Sequence, residues 1–476
     1  MRALLLLLAC LLGAAPALGQ SLPELGDRTS SVLSPAMERK IGEQAMQDIR
    51  QRDPHYLEDP ELTEYINALG RRLVAAAPDA RLDFQFFLMQ DSTINAFAMP
   101  GGFVGVHTGL LLAAQTESEL AGVLAHEVAH VTQRHLARML GQQEQMSIPT
   151  IAALIVAVLA ARSGGDVAQG IIAAAGAGNI QAQLNYTRDY EREADRIGFQ
   201  TLQNAGFDVN GMASFFERLQ KATRIYENNA PAYMRTHPLT TERIADMQNR
   251  AYHAVYRQSP DSLEFHLVRA KLSAEQGSPR DARMHFADMV KEQRYANEAA
   301  ARYGLAIALS RGRDYAGAEA EIARVRKLVG SEPMVELLAA RIKAANGDQA
   351  AARDVLQAAL AHDPNYRPLS YALVQSLQAL GQHQRALQLL EELVRNTPRD
   401  PRLYVLQAQS HAALGHRLLQ HQAQAEAYYL QGTLSAAIEQ LQLAQRSGDA
   451  DFYQLSSVDA RLRELRRLQA DESKKR

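Results

Sequence analysis

The chain of 476 residues has no tryptophan and a single cysteine, Cys10. That cysteine lies in an apolar N-terminal run. Once the run is removed, neither a disulfide framework nor a thiolate metal site is available, so any metal must be held by His, Asp or Glu. Charge of one sign is also lacking. The 51 Lys plus Arg against 53 Asp plus Glu leave a formal net charge of −2, which gives no case for a nucleic-acid or strongly acidic partner. Long hydrophobic runs are scarce. Beyond the N-terminus the longest is Ile151 to Ala161, bounded by Pro149 and by Arg162-Ser163-Gly164-Gly165. It falls well short of the ~20 residues that a membrane span needs. With Val167 to Ala177 it makes a candidate helical hairpin, read either as two buried helices or as a lip that touches membrane or substrate. Membrane contact is therefore peripheral at most.

The length allows two or three domains. Arg2, the apolar run Ala3 to Gly13 and the small residues around Ala17-Leu18-Gly19 read as a cleaved secretory signal over residues 1–19. Leu7-Leu8-Ala9-Cys10 resembles a lipoprotein cleavage box, but a cut there leaves too short an apolar core. Between 82 and 110, Leu82-Asp83-Phe84-Gln85-Phe86 alternates, and Phe103-Val104-Gly105-Val106-His107 follows a Pro100-Gly101-Gly102 turn. Both are expected strands of a small sheet. From Thr116 the pattern turns helical, with Thr116-Glu117-Ser118-Glu119 as a capping box and Leu120, Val123 and Leu124 as an apolar stripe.

That helix carries the chemistry. His126-Glu127-Val128-Ala129-His130 is an H-E-x-x-H sequence. Residues four apart share a helix face, so both imidazoles reach one ion, with Glu127 beside them as general base. A catalytic zinc takes a third protein ligand. The best downstream donor is Glu191, in a helical stretch where Arg188, Arg192 and Arg196 mark a solvated face and Glu191 and Asp195 share another. Helical geometry favours the pair Glu191 and Asp195 over Glu193. Asp195 is expected to accept the free N–H of a ligand histidine. His107 and His135 read as structural or surface residues, and His135, five after His130, is expected to point away from the ligand face.

Beyond residue 260 the chain repeats. Glycines stand at 277, 312, 347, 381 and 415, followed at a constant offset by Ala282, Gly317, Ala352 and Ala386. This is the period of stacked helical pairs. The pattern breaks after Gly415, where a second turn at Gly432 implies an extra or irregular helix. The basic end from Arg461 is expected to fray.

H-E-x-x-H followed by E-x-x-A-D resembles the zinc peptidase family that includes the HtpX membrane proteases and the CAAX prenyl proteases. The resemblance makes Glu191 the third ligand. It implies that the stretch Asn95-Ala96-Phe97-Ala98-Met99-Pro100-Gly101-Gly102 supplies the strand beside the cleft. It also puts His237 and Arg243, from a similar H-P-x-x-x-x-R segment, near that cleft. His237 then either stabilises the tetrahedral oxyanion or occupies the fourth zinc position and keeps the enzyme latent. An extended substrate is expected to add to the edge near Phe97 to Val106, with Phe97, Gly102, Phe103, Val104 and Arg243 as binding candidates. The later segments resemble tetratricopeptide repeats.

Signal, peptidase unit and repeats together look like the periplasmic, BepA-type β-barrel assembly-enhancing proteases of Gram-negative bacteria. The expected architecture is α+β, mostly α. A gluzincin-type zinc metallopeptidase domain with a small sheet (20–258) precedes an α-solenoid of tetratricopeptide-like repeats (259–446), then a C-terminal helix and basic tail (447–476). The expected reaction is endopeptidase cleavage with one zinc ion per chain, Glu127 as base, and His237 and Asp195 in support. The expected substrates are unfolded or misassembled proteins, outer-membrane β-barrel proteins among them, with the β-barrel assembly machinery as a docking partner of the repeats. Two other readings stand beside this one: a chaperone or assembly adaptor that works through the repeats, and a fold whose zinc is only structural.

Overall fold

The computed structural model describes residues 34–78, 82–140, 188–225, 232–255, 257–449 and 451–473. The expected signal segment and the candidate hairpin of Ile151 to Ala161 and Val167 to Ala177 lie outside the described residues. Among the described residues no helix is long and apolar enough to cross a membrane.

The peptidase unit opens with α1 (Pro35–Arg52) and α2 (Pro60–Ala76), each with Pro in its first turn and capped by Ser34 and Asp59 respectively. A four-stranded sheet follows, of β1 (Tyr56–Leu57), β2 (Gln85–Met89), β3 (Ala96–Met99) and β4 (Phe103–His107), in the order β1-β2-β4-β3. β2 and β4 run parallel and the other pairings are antiparallel. The short α3 (Thr108–Ala113) leads to α4 (Glu117–Thr132), which carries the H-E-x-x-H sequence. Thr116 caps α4 by accepting from Glu119 N at 3.2 Å, while the Glu119 carboxylate returns to Gln115 N at 2.6 Å. Every residue from Glu117 to Val131 is buried, because α2, β3, α6 (Arg188–Asn204) and α7 (Asn210–Ile225) surround the helix. α5 (His135–Leu140), α8 (Ala232–Thr236) and α9 (Thr241–His253) complete the unit.

The sheet order corrects two expectations about substrate binding. β4 is internal: Phe103 pairs with Gln85 and Met99, and Val104 with Phe86 and Ala98. Phe103 and Val104 are 2% and 0% exposed, so neither has an edge to offer a peptide. Gly102 lies in the turn at φ +93°, where an added Cβ would stand 2.5 Å from the Asp83 carbonyl. Phe97 does lie on β3, which together with β1 forms the sheet's edges among the described residues. Since Asn95 O accepts from His107 N at 3.0 Å, the alternation of an antiparallel ladder turns the peptide groups of Ile94, Ala96 and Ala98 outward.

The repeats are eleven helices in antiparallel succession, α10 (Leu263–Glu275), α11 (Pro279–Lys291), α12 (Glu298–Arg311), α13 (Tyr315–Val329), α14 (Pro333–Ala345), α15 (Gln349–His362), α16 (Arg367–Ala379), α17 (His383–Asn396), α18 (Pro401–Ala413), α19 (Arg417–Leu430) and α20 (Leu434–Gln445). Gly347, Gly381 and Gly415 adopt φ of +90°, +70° and +78° in the turns, a conformation that glycine enters without a Cβ clash. At the Gly312 turn the left-handed residue is instead Arg313, at φ +62°. After Gly415 the irregularity is α20, an extra helix that follows α19 across a turn at Gly432. The expectation of a frayed end is corrected. α21 (Phe452–Ser473) is one helix whose Val458, Leu462 and Leu465 are buried against Leu441 and Ala444 of α20, an apolar stripe that outweighs the basic residues between.

Among the described residues the two units share one core. Leu62, Tyr65, Leu69, Phe265, Tyr303 and Ile342 belong to one continuous apolar cluster. Within the same joint the buried Lys271 is ion-paired with Glu61 and, at 2.7 Å, with Asp59, and Arg341 also reaches Glu61. The solenoid then curls back over the peptidase unit, through Arg367 to Glu64 at 2.8 Å and Gln51 to Thr433 at 3.1 Å. Between them lies a cavity of about 1400 Å³ lined by α1, β1, β2 and repeat residues such as Tyr371, Arg402 and Tyr429.

Candidate metal centre

Two helices build the centre. On α4, the i, i+4 spacing turns His126 and His130 to one side. α6 crosses beside it so closely that a Cβ on Gly198 would stand 3.0 Å from His126 Cα. Close approach of the two backbones lets a side chain as short as glutamate carry Glu191 to both rings. His126 Nε2 lies 3.0 Å from His130 Nε2 and 3.5 Å from Glu191 Oε2, and His130 Nε2 lies 3.5 Å from Glu191 Oε1. A fourth donor comes from the loop before α9. His237 Nδ1 stands 3.0 Å from Glu191 Oε1 and 3.4 Å from His126 Nε2.

These separations fit a metal ion. Donor atoms about 2.0–2.1 Å from an ion at tetrahedral corners are about 3.3–3.4 Å apart, and the distances here run from 3.0 to 3.5 Å. All four donors lie within 4.8 Å of one another and all four residues are buried. Burial disfavours a charged His126 ring, but Asp195 and Glu191 outweigh it and push its pKa up to about 9. Burial likewise opposes ionised Glu191, yet the surrounding histidines, His237 foremost, hold its carboxyl well below the usual range.

The remaining predicted residues fall into place around the donors. Asp195 Oδ1 lies 3.0 Å from His126 Nδ1. Glu127, at 0% exposure, lies beside the donor cluster, its Oε1 3.5 Å from His237 Nε2. Arg243, a substrate-binding candidate in the sequence, faces the donor cluster. It is 3% exposed and directs Nε and Nη2 to Asp195 at 2.6 and 2.8 Å and Nη1 to Glu191 Oε2 at 2.7 Å. Burial tends to raise the Asp195 carboxyl, but hydrogen bonds from Arg243 and His126 hold it below its ordinary value. Tyr233 stacks on His237 with ring centroids 4.7 Å apart, and its N–H donates to Ile94 O at 3.1 Å, which ties the His237 loop to the outer edge of β3.

The expectation for His135 is corrected. It is fully buried, and its Nδ1 lies 2.9 Å from His130 Nδ1. Helical spacing misplaces it because α4 has ended: Arg134, at φ +53° and bonded to Glu38 at 2.7 Å, reverses the chain and folds α5 back over the ligand helix. Helical spacing likewise disfavours Glu193, yet its Oε2 reaches His135 Nε2 at 3.1 Å. The clue in the sequence was the H-x-x-x-x-H spacing from His130, which has meaning only if a turn intervenes. His107 is structural, with Nδ1 2.8 Å from Thr93 Oγ1 in the loop before β3.

Comparison with known proteins agrees with this chemistry. Residues 60–251 match the profile of Peptidase family M48, and residues 343–410 a tetratricopeptide repeat. A beta-barrel assembly-enhancing protease of Escherichia coli K12 is 34% identical over 463 residues, covering 96% of this chain and 94% of that one. A putative beta-barrel assembly-enhancing protease of Vibrio cholerae is 46% identical over 274 residues, 56% of each chain. The mitochondrial metalloendopeptidase OMA1 of Schizosaccharomyces pombe is 31% identical over 188 residues, 39% of this chain and 52% of that one. Matched along nearly its whole length and carrying this donor set, the chain is a metalloprotease that belongs to the family of β-barrel assembly-enhancing proteases, with a catalytic unit of peptidase family M48.

Proposed function

We propose that this chain is a zinc-dependent endopeptidase of the periplasm that hydrolyses unfolded or misassembled proteins, outer-membrane β-barrel proteins among them, and assists their assembly. The observation that carries the catalytic reading is the donor cluster of His126, His130 and Glu191 at 3.0–3.5 Å separations, with Glu127 buried beside it. Two imidazoles and one carboxylate are a ligand set that suits zinc. The signal-like N-terminus supports the compartment, and the names of the relatives support the substrate class.

Held by His126, His130 and Glu191, a zinc ion would supply polarisation of the scissile carbonyl and a lowered pKa, toward ~7, for the attacking water. Glu127 takes the proton from that water and returns it to the leaving amine. Asp195 orients His126, and Arg243 holds Asp195 and Glu191. An extended substrate pairs with the outward peptide groups of Ala96 and Ala98, main-chain contacts that depend little on sequence. The repeats and the cavity they enclose are the surface for clients and for the barrel assembly machinery.

His237 acts as a latch. Its Nδ1 completes the donor set while its Nε2 faces Glu127 at 3.5 Å, positions that support occupation of the fourth site over oxyanion stabilisation. A latched centre also favours, as the second reading, an assembly adaptor that cuts only when His237 is displaced.

The test is cleavage of casein and of an unfolded outer-membrane β-barrel protein by the processed chain of verified zinc content. Zinc-dependent cutting that is lost in Glu127→Gln and raised in His237→Ala is expected. Full activity in a zinc-loaded Glu127→Gln chain would overturn the mechanism. Lower activity in His237→Ala would return His237 to the oxyanion role.

A further inference from the structure

We infer that His135 and Glu193 form a positioning pair that holds the His130 imidazole in the tautomer and rotation with which it binds metal through Nε2. The inference rests on the metal-centre reading above and adds two residues to it. His130 turns Nε2 toward His126 and Glu191, at 3.0 and 3.5 Å. Its Nδ1 meets His135 Nδ1 at 2.9 Å. A ring nitrogen that binds metal carries no proton, so the proton of a neutral His130 resides on Nδ1, and His135 Nδ1 is the acceptor. The proton of His135 is then on Nε2, 3.1 Å from Glu193 Oε2. An ionised carboxylate only accepts, so Glu193 sets the direction of both bonds.

The pair is itself held in place. Arg138 Nη1 donates to Glu193 Oε2 at 2.9 Å. Tyr190 stacks on His135 with centroids 4.8 Å apart and planes 18° apart, and the Arg138 guanidinium lies over the Tyr190 ring, 4.7 Å from its centroid. Both ligand histidines thus lean on a carboxylate from α6. Asp195, four residues after Glu191, shares its helix face and reaches His126 directly at 3.0 Å. Glu193, two residues after Glu191, projects from a different face and reaches His130 only through an intervening ring. His135 supplies that ring.

The test uses the processed full-length chain and measures zinc affinity and zinc release by competition with a chromophoric chelator. His135→Phe keeps the ring volume and the stacking on Tyr190 but removes the acceptor. It is expected to weaken zinc binding roughly 10–100-fold, the usual effect of losing the partner of a ligand histidine, in a metal-free chain that still unfolds cooperatively. His135→Asn, whose amide oxygen falls where Nδ1 was, is expected to recover most of the affinity. Wild-type affinity in His135→Phe overturns the proposal, as does an Asn variant as weak as the Phe one, which would leave only a packing role. Should His135→Phe fail to fold, the half-exposed Glu193→Ala decides the matter: faster zinc release supports the pair and a wild-type rate overturns it. A wild-type chain that takes up no zinc would overturn the metal-centre reading and the pair with it, whereas equal affinities overturn the pair alone.

Discussion

Asp195 and His126 are joined at 3.0 Å, Oδ1 to Nδ1, while Arg243 grips the same carboxylate through Nε at 2.6 Å and Nη2 at 2.8 Å. The carboxylate therefore serves a ligand histidine on one side and a buried cation on the other. Asp195→Ala is expected to lower zinc affinity about 10–100-fold and to leave the Arg243 charge with Glu191 as its remaining carboxylate. Chelator competition measures the first effect. Unchanged affinity would mean that the His126 ring is held by packing alone.

The distance from α6 to α4 is set at Gly198, where an added Cβ would meet His126 Cα and N at 3.0 Å and Ala125 C at 3.1 Å. These contacts are with backbone and cannot yield without moving a helix. Gly198→Val is expected to cost about 1–3 kcal/mol of stability and to draw Glu191 off the histidines. Thermal unfolding and zinc content of the purified chain check both effects. A stable, fully zinc-loaded Gly198→Val chain would contradict this account of the helix contact.

The outer edge of β3, an edge of the sheet among the described residues, allows a test of strand addition. Ala98→Pro removes an outward N–H and leaves the ladder to β4 intact, as proline does on an edge strand. Normal folding and zinc content with much reduced casein cleavage are expected. Undiminished cleavage would remove β3 from the substrate path. Proline at Val104 would be no such test, because β4 is bonded on both sides.

Glu332 caps α14 by accepting from Val335 N at 3.0 Å, and it is 8% exposed. Burial, helped by the nearby Glu264 and Glu61, pushes its carboxyl up to about 7 from 4.5. The folded chain therefore holds this proton more tightly than the unfolded one. The contribution to stability is fully present below about pH 4.5 and is lost as pH rises through about 7. Glu332→Gln, which stays neutral and keeps an accepting oxygen, is expected to stabilise the chain by on the order of 3 kcal/mol at pH 8 and by less than about 1 kcal/mol at pH 5. Denaturant unfolding at the two pH values measures this, and an equal effect at both would show that ionisation at this position does not matter.

The parts of this protein that were legible in the sequence are those decided within one helix or one turn. The spacing of His126 and His130 puts two imidazoles on one face whatever surrounds them, and the separation of Glu191 and Asp195 does the same for their carboxylates. The repeat period and its glycine turns are local in the same sense, since each helical pair packs on its neighbours.

What depends on chain reversal or long-range pairing was decided only by the tertiary structure. Phe103 and Val104 read as an edge strand, but sheet order follows from which strands meet, and β2 closes the far side of β4. His135 points away from His130 on any continued helix, and a single left-handed residue, Arg134, turns it back. The change from peptidase to repeats is visible at about residue 260 in the sequence, yet one apolar cluster runs across it from Leu62 to Ile342. Periodicity records which residues share a face. It does not record what that face is buried against, because burial is settled by partners hundreds of residues away.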